Sequence, residues 1–144
     1  MDFFMKKILF GITGLTLGGA ERVLVDIANN LCHEYDITIF TIYAGGELEE
    51  ALDKSIKRKS MYHKSYQELT NLQKKYIPIK ILLLQNYLYH KKIKGDYEVE
   101  ISFLEGPITR LFSVKNDKTK KIAWIHNDIT KVFGSGIKAW IKKC

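Results

Sequence analysis

The segment KKILFGITGLTLGGAERVLVDIANNLCHEYDITIFTIY, residues 6 to 43, constrains the fold more than any other part of the chain. It opens with Lys6 to Ile12, a near-continuous apolar run of the kind buried on both faces of a parallel sheet. A loop carrying Gly14, Gly18 and Gly19 follows. Ala20 to Glu34 then has helical periodicity: Ala20, Leu24, Ile27, Ala28 and Leu31 share one face, while Arg22, Asp26, Asn29 and His33 fall elsewhere. Asp36 to Tyr43 is rich in β-branched and aromatic residues and makes a second strand. Strand, loop, helix and strand in so short a span imply parallel pairing, because the crossover returns the chain to the same sheet in the same direction.

The same alternation continues. Gly45-Gly46 marks a turn, Glu47 to Asp53 a short helix, and Ile56 to Met61 a weak third strand. The basic, tyrosine-rich stretch from His63 to Lys94 is expected to hold one helix ending before Pro78 and another from Ile79 to Lys92. Tyr97 to Leu104 is a strand. Gly106-Pro107 opens a helix through Phe112, since proline suits the first helical turn. Lys120 to His126 is the last strand, and residues 133 to 144 suggest a loop and a helix. The chain is therefore expected to be α/β: a single Rossmann-like, doubly wound parallel sheet in three αβα layers, ordered 3-2-1-4-5, with one domain over residues 1 to 144. Ligands of such sheets bind outside the carboxyl ends of the strands. Those ends are Thr13 to Gly19, Tyr43 to Gly46, Leu104 to Pro107 and His126 to Asp128.

With 144 residues the chain can bury a real core, and its formal net charge of +7 suits an anionic partner: nucleic acid, acidic lipid or a phosphorylated ligand. No stretch reaches the roughly 18 apolar residues needed to span a bilayer. The lysines and apolar run at the start are interrupted by Gly11, Thr13 and Gly14, with no cleavage-like site behind them. Two distant cysteines, Cys32 and Cys144, make no disulfide framework, so a reducing cytoplasm is expected. No metal site is expected, because His33, His63 and His90 show no ligand spacing.

Gly18 and Gly19 stand on the step from strand to helix, where backbone can approach a ligand closely and helix N–H groups face an anion. A P-loop would need Lys-Ser/Thr after its last glycine, and here the helix opens Gly19-Ala20-Glu21-Arg22. A nicotinamide-binding loop would need G-x-G-x-x-G and an acidic residue ending the second strand, which instead ends Tyr43-Ala44. Both are disfavoured. The plain alternative is that the glycines only permit a tight turn. Glu105, between a strand and the Pro107 helix, either favours the helix dipole or contacts a ligand on the rim. Glu21, in the first helical turn, is expected to complement the dipole.

Three segments, GLTLGGAERVLVDIANNL, YEVEISFLEGPITRLFS and KKIAWIHND, resemble glycosyltransferase family 4 in order and position. The resemblance implies a GT-B architecture, of which this chain is the amino-terminal, acceptor-side half. It implies sugar transfer with retention from a nucleotide-sugar donor such as a UDP-sugar, without metal or other cofactor, to a growing glycan or lipid-linked acceptor. Gly18 and Gly19 would bring N–H groups toward the donor diphosphate. His126 would contact the donor sugar near the reacting centre, as the candidate catalytic residue, with Glu105 and Asn127 as candidate substrate-binding residues. The family's donor-binding carboxy-terminal domain is not among these residues and is expected in the same or a partner chain, so the isolated chain is expected to be inactive.

A competing expectation is a non-catalytic basic α/β module for membrane or partner docking; a small nucleotide-binding protein is a third. Residues 54 to 94 hold eleven lysines and arginines interleaved with Tyr62, Tyr66, Tyr76, Tyr87 and Tyr89. A helix packed on the sheet explains much of this, and contact with an anionic membrane explains it too. That contact would place the protein peripherally on the inner face of the cell membrane. No nucleic-acid module is visible, and no nucleic-acid partner is expected.

Overall fold

The computed structural model describes residues 4 to 126. Five strands, β1 (Lys7–Ile12), β2 (Asp36–Tyr43), β3 (Lys57–Tyr62), β4 (Val99–Phe103) and β5 (Lys120–Trp124), form one sheet ordered β3-β2-β1-β4-β5. Every neighbouring pair is parallel, with β1 central: Ile8 lies between Ile37 of β2 and Val99 of β4. The helices are α1 (Gly19–Leu31), α2 (Asn71–Lys92) and α3 (Pro107–Phe112), with a short 3₁₀ helix at Glu47–Ala51. This is the Rossmann-like α/β sheet the alternation of apolar runs implies.

Alternation within β1 sets the layers. Ile8, Phe10 and Ile12 join Leu24, Val25 and Ala28 of α1 in one core, while Leu9 joins the core built from α2 and α3. Gly11 faces that second core, where an added Cβ would fall 2.3 Å from the Phe112 ring. Its missing side chain lets α3 settle on the central strand.

One expectation is corrected. Pro78 does not end a helix; α2 runs through it, and the backbone leaves helical geometry later, at Leu84 (φ −118°, ψ 22°). Burial of Ile77 and Ile81 on either side of the proline holds the helix against the core. The cost is local: Pro78 has no N–H for the Lys74 carbonyl four residues back. The start of α2 is set by a reciprocal cap, Thr70 Oγ1 accepting from the Gln73 N–H (3.2 Å) and Gln73 Oε1 from the Thr70 N–H (3.0 Å). Its last turn is tied to the sheet by a buried polar cluster. Tyr89 Oη donates to Glu100 Oε1 (2.7 Å) and accepts from Lys121 Nζ (2.7 Å) and Asn116 Nδ2 (3.2 Å). Asn127, Asp128 and the expected loop and helix of residues 133 to 144 lie outside the described residues.

Candidate functional site

Because all strands are parallel, their carboxyl ends share one rim. The loop leaving β1 is locked to the loop leaving β2. Thr13 O accepts N–H bonds from Ile42 and Tyr43 (both 3.1 Å), and Leu15 O accepts from Leu48 N–H (2.9 Å). Gly46 lies so close that a Cβ there would stand 2.2 Å from Leu15 O. Glu49 Oε1 accepts from the N–H groups of Gly45 (2.8 Å) and Gly46 (3.3 Å), which fixes the turn after β2.

Between these loops and the start of α2 opens a cleft of about 430 Å³. Residues 13 to 16 and 43 to 47 form one side; Ser65, Tyr66, Lys74 and Pro78 form the other, and Glu21 reaches in from α1. Tyr43 lies in an aromatic group, stacked on Tyr62 (6.4 Å) and edge-on to Tyr66 (5.2 Å). Burial, then the neighbouring Tyr66 and Tyr62, pushes the Tyr43 phenol above its ordinary value. It stays a neutral hydroxyl at physiological pH. Lys74 Nζ sits 4.8 Å from the centre of the Tyr66 ring. The cleft thus combines one carboxylate, one ammonium, several hydroxyls and a half-exposed aromatic ring. That set suits a polyol, whose hydroxyls bond to the polar groups while its C–H face lies on the ring.

Of the expected site residues, Gly18 and Gly19 fall beside this cleft. Gly18 is the N-cap of α1 in extended backbone (φ −108°, ψ 163°), its N–H donating to Thr16 O (2.8 Å). The Glu21 carboxylate lies against Gly18 where a side chain would stand, and nothing surrounds the Cβ position of Gly19. Neither glycine lines the cleft; Glu21 connects them to it.

At the other half of the rim the structure brings Glu105 and His126 together: the His126 N–H donates to Glu105 Oε2 at 3.4 Å. The imidazole is exposed, 4.7 Å from the Phe103 ring and nearly parallel to Trp124 at 6.1 Å. Leu104, just before Glu105, has φ +84°, a conformation that costs a leucine about 1 kcal/mol or more. Two hydrogen bonds hold it, Leu104 N–H to Trp124 O (3.1 Å) and Thr109 Oγ1 to Leu104 O (2.6 Å). Among the described residues no three His, Cys, Asp or Glu side chains are grouped to hold a metal ion.

The chain after β1 leaves to α1 on one face, whereas the chain after its neighbour β4 leaves to α3 on the other. In doubly wound sheets ligands bind at such a divergence. Gly18 and Gly19 border it on one side, Glu105 and His126 on the other. Sequence reasoning did not single out Ser65 or Lys74 and named Tyr66 only among the tyrosines of the basic region, because residues 44 to 95 carry no ligand-binding motif.

No family model matches the chain. Over 105 residues, 70% of the chain, it is 34% identical to a Campylobacter jejuni protein, GalNAc-alpha-(1->4)-GalNAc-alpha-(1->3)-diNAcBac-PP-undecaprenol alpha-1,4-N-acetyl-D-galactosaminyltransferase. The match spans about a quarter of that relative's length, 26%. The chain is thus related in sequence to a glycosyltransferase.

Proposed function

We propose that this chain is the acceptor-side half of a GT-B glycosyltransferase of family 4, transferring a sugar with retention from a nucleotide-sugar such as a UDP-sugar to a lipid-linked glycan. The observation that carries the reading is the 34% identity to a transferase whose name places its glycan on PP-undecaprenol. The donor half belongs to a carboxy-terminal GT-B domain in the same or a partner chain, and residues 1 to 144 alone do not turn over. No metal takes part.

In this reading the cleft takes the acceptor glycan, with Glu21 and Ser65 bonding its hydroxyls and Tyr66 packing on a ring face. The Gly19 amide, at the open start of α1, faces the donor diphosphate, whose charge grows as it leaves, while the Gly18 N–H stays on Thr16 O and shapes the turn. His126 hydrogen-bonds a donor-sugar hydroxyl, and Glu105 binds or deprotonates the incoming acceptor hydroxyl. Asn127 joins them as a substrate ligand.

The test uses the full-length protein, a panel of nucleotide-sugars and a lipid-linked glycan acceptor, with the product's anomeric configuration read by NMR. His126→Ala is expected to lower kcat by about 10² or more, the scale for losing one polar contact to the transition state, with an unchanged circular dichroism spectrum. Full turnover in that variant removes the assigned role. A second reading, a non-catalytic basic docking module, is favoured by an exposed apolar face on α2; absence of transfer across the whole panel would leave that reading standing.

A further inference from the structure

Residue 18 need not be glycine for its backbone. Its φ of −108° and ψ of 163° are extended geometry that any residue adopts, and its N–H is spent on Thr16 O (2.8 Å). What an added side chain would meet there is Glu21. The three atoms nearest the Cβ position of residue 18 all belong to the Glu21 carboxylate, both oxygens and the carbon between them. Gly19, one step on, has open space at the same position. The glycine at 18 is thus a seat into which the end of Glu21 folds. A glutamate third in a helix ordinarily reaches back to the N–H of the capping residue. Here that N–H is taken, and among the described residues no hydrogen bond or ion pair holds the carboxylate. It is half-buried and lines the cleft. Polar groups across the cleft already have partners: Ser65 Oγ donates to Glu68 Oε2 (3.0 Å), and Lys74 Nζ rests over the Tyr66 ring.

We propose that Gly18 is a positioning residue for the acceptor: the room it leaves holds the Glu21 carboxylate facing the cleft, where it takes two adjacent donors of one sugar ring. The inference rests on the acceptor reading of the cleft above. An ionised carboxylate only accepts hydrogen bonds, and its two oxygens can take two donors together. Neighbouring hydroxyls, or a hydroxyl beside an acetamido N–H, supply that pair, and bonds to a charged acceptor are the stronger kind. With no protein donor on the carboxylate, the sugar gains these bonds without breaking others inside the protein. A methyl at residue 18 turns the carboxylate out of its seat, because the far end of a glutamate rotates where backbone would have to shift. The substitution therefore acts on acceptor binding through Glu21 and leaves the donor side, at the Gly19 amide, alone.

The experiment uses the full-length protein and a panel of lipid-linked trisaccharides built of neutral hexoses or acetamidohexoses, of which the tightest binder is carried forward. Its Kd is measured in detergent without donor, and the Kd of UDP is measured without acceptor. Gly18→Ala and Glu21→Gln are each expected to weaken trisaccharide binding about five-fold and to leave UDP binding within about two-fold of wild type. Gly18→Ala/Glu21→Gln should bind no more weakly than Glu21→Gln, because the methyl acts only through the carboxylate. In a series of monodeoxy trisaccharides, two neighbouring deletions should each weaken binding to wild type and change nothing in Glu21→Gln. Gly18→Ala/Glu21→Ala lacks the clash and should share the urea midpoint of Glu21→Ala, which separates a fold defect from a binding defect. Additive losses in the first double variant, or a Gly18→Ala effect on UDP in place of the acceptor, overturn the inference and leave the transferase reading intact. A wild-type protein that shows these binding effects yet transfers no sugar overturns the transferase reading and supports the seat. One that binds no trisaccharide overturns both.

Discussion

A buried polar cluster ties the last turn of α2 to the sheet, and Lys121→Met breaks it. The Glu100 side chain is 2% exposed and that of Lys121 25%. In the wild type Glu100 is held by the Tyr89 hydroxyl and by Lys121, whose ammonium also lies 4.1 Å from the Tyr89 ring centre. Methionine keeps most of the stem's apolar contact and removes the charge, leaving a carboxylate out of water with one phenolic donor. Breaking a buried pair in this way costs about 3–5 kcal/mol. The partial exposure of Lys121 lets some solvent reach the site, so about 3 kcal/mol is expected. By contrast Lys57–Asp36, with side chains 60% and 24% exposed, contributes at most about 1 kcal/mol. With a urea slope near about 2 kcal/mol per M, the denaturation midpoint followed by circular dichroism falls by about 1.5 M. The double variant Glu100→Leu/Lys121→Met removes both charges and should recover to within about 1 kcal/mol of wild type. A single variant that moves the midpoint by less than about 0.5 M, or a double variant as unstable as the single, refutes the claim that Glu100 is desolvated and dependent on Lys121.

Gly46→Ala places a methyl against Leu15 O, which is backbone and cannot rotate away, so a loss of about 2 kcal/mol is expected by urea denaturation; an unchanged midpoint would mean the two loops are not locked. Tyr43 has a raised pKa in the folded protein, and an unfolded tyrosine ionises near about pH 10. Its contribution is therefore complete below about pH 10 and lost as pH rises through the folded value, because ionisation then favours the unfolded chain. Tyr43→Phe should lose less stability than wild type between about pH 9 and pH 11, and equal losses would show that Tyr43 titrates normally.

Most of the fold is legible because its determinants are local. The runs at residues 6 to 12 and 36 to 43 are too apolar to face water on either side, and so short a crossover between them leaves only parallel pairing. Pro107 marks a helix start that the structure keeps. Pro78 misleads because its meaning is tertiary: a proline seven residues into a helix is tolerated where Ile77 and Ile81 are buried beside it, and no neighbouring residue announces that. The Thr70-x-x-Gln73 box was a readable signal. It places the start of α2 at Asn71 and leaves residues 63 to 69 as the loop off β3, on the rim. The site divides the same way. Which loops share the rim follows from strand direction, so Glu105 and His126 meet as their positions imply. That a cavity opens over β1 and β2 depends on Leu15 meeting Gly46 and Tyr43 meeting Tyr66, contacts across distant sequence that no motif records.

The separation of the two halves of the rim carries one more consequence for the proposed transfer. The cleft lies over β1 and β2, whereas Glu105 and His126 stand beyond β4 and β5, two strand spacings away centre to centre, or about 10 Å. An acceptor whose reacting hydroxyl meets Glu105 reaches Tyr66 only through sugars behind the terminal one, so Tyr66 reads the length of the acceptor rather than its reacting end. Tyr66 is half exposed, which makes Tyr66→Ala a substitution the fold tolerates. It is expected to raise KM about five-fold for a lipid-linked trisaccharide, from the loss of one ring-packing contact worth about 1 kcal/mol, and to leave kcat intact. For a lipid-linked monosaccharide both constants should match the wild type, because nothing extends into the cleft. Equal effects on long and short acceptors, or a fall in kcat with KM unchanged, would place Tyr66 at the reacting centre and contradict the spacing of the sheet.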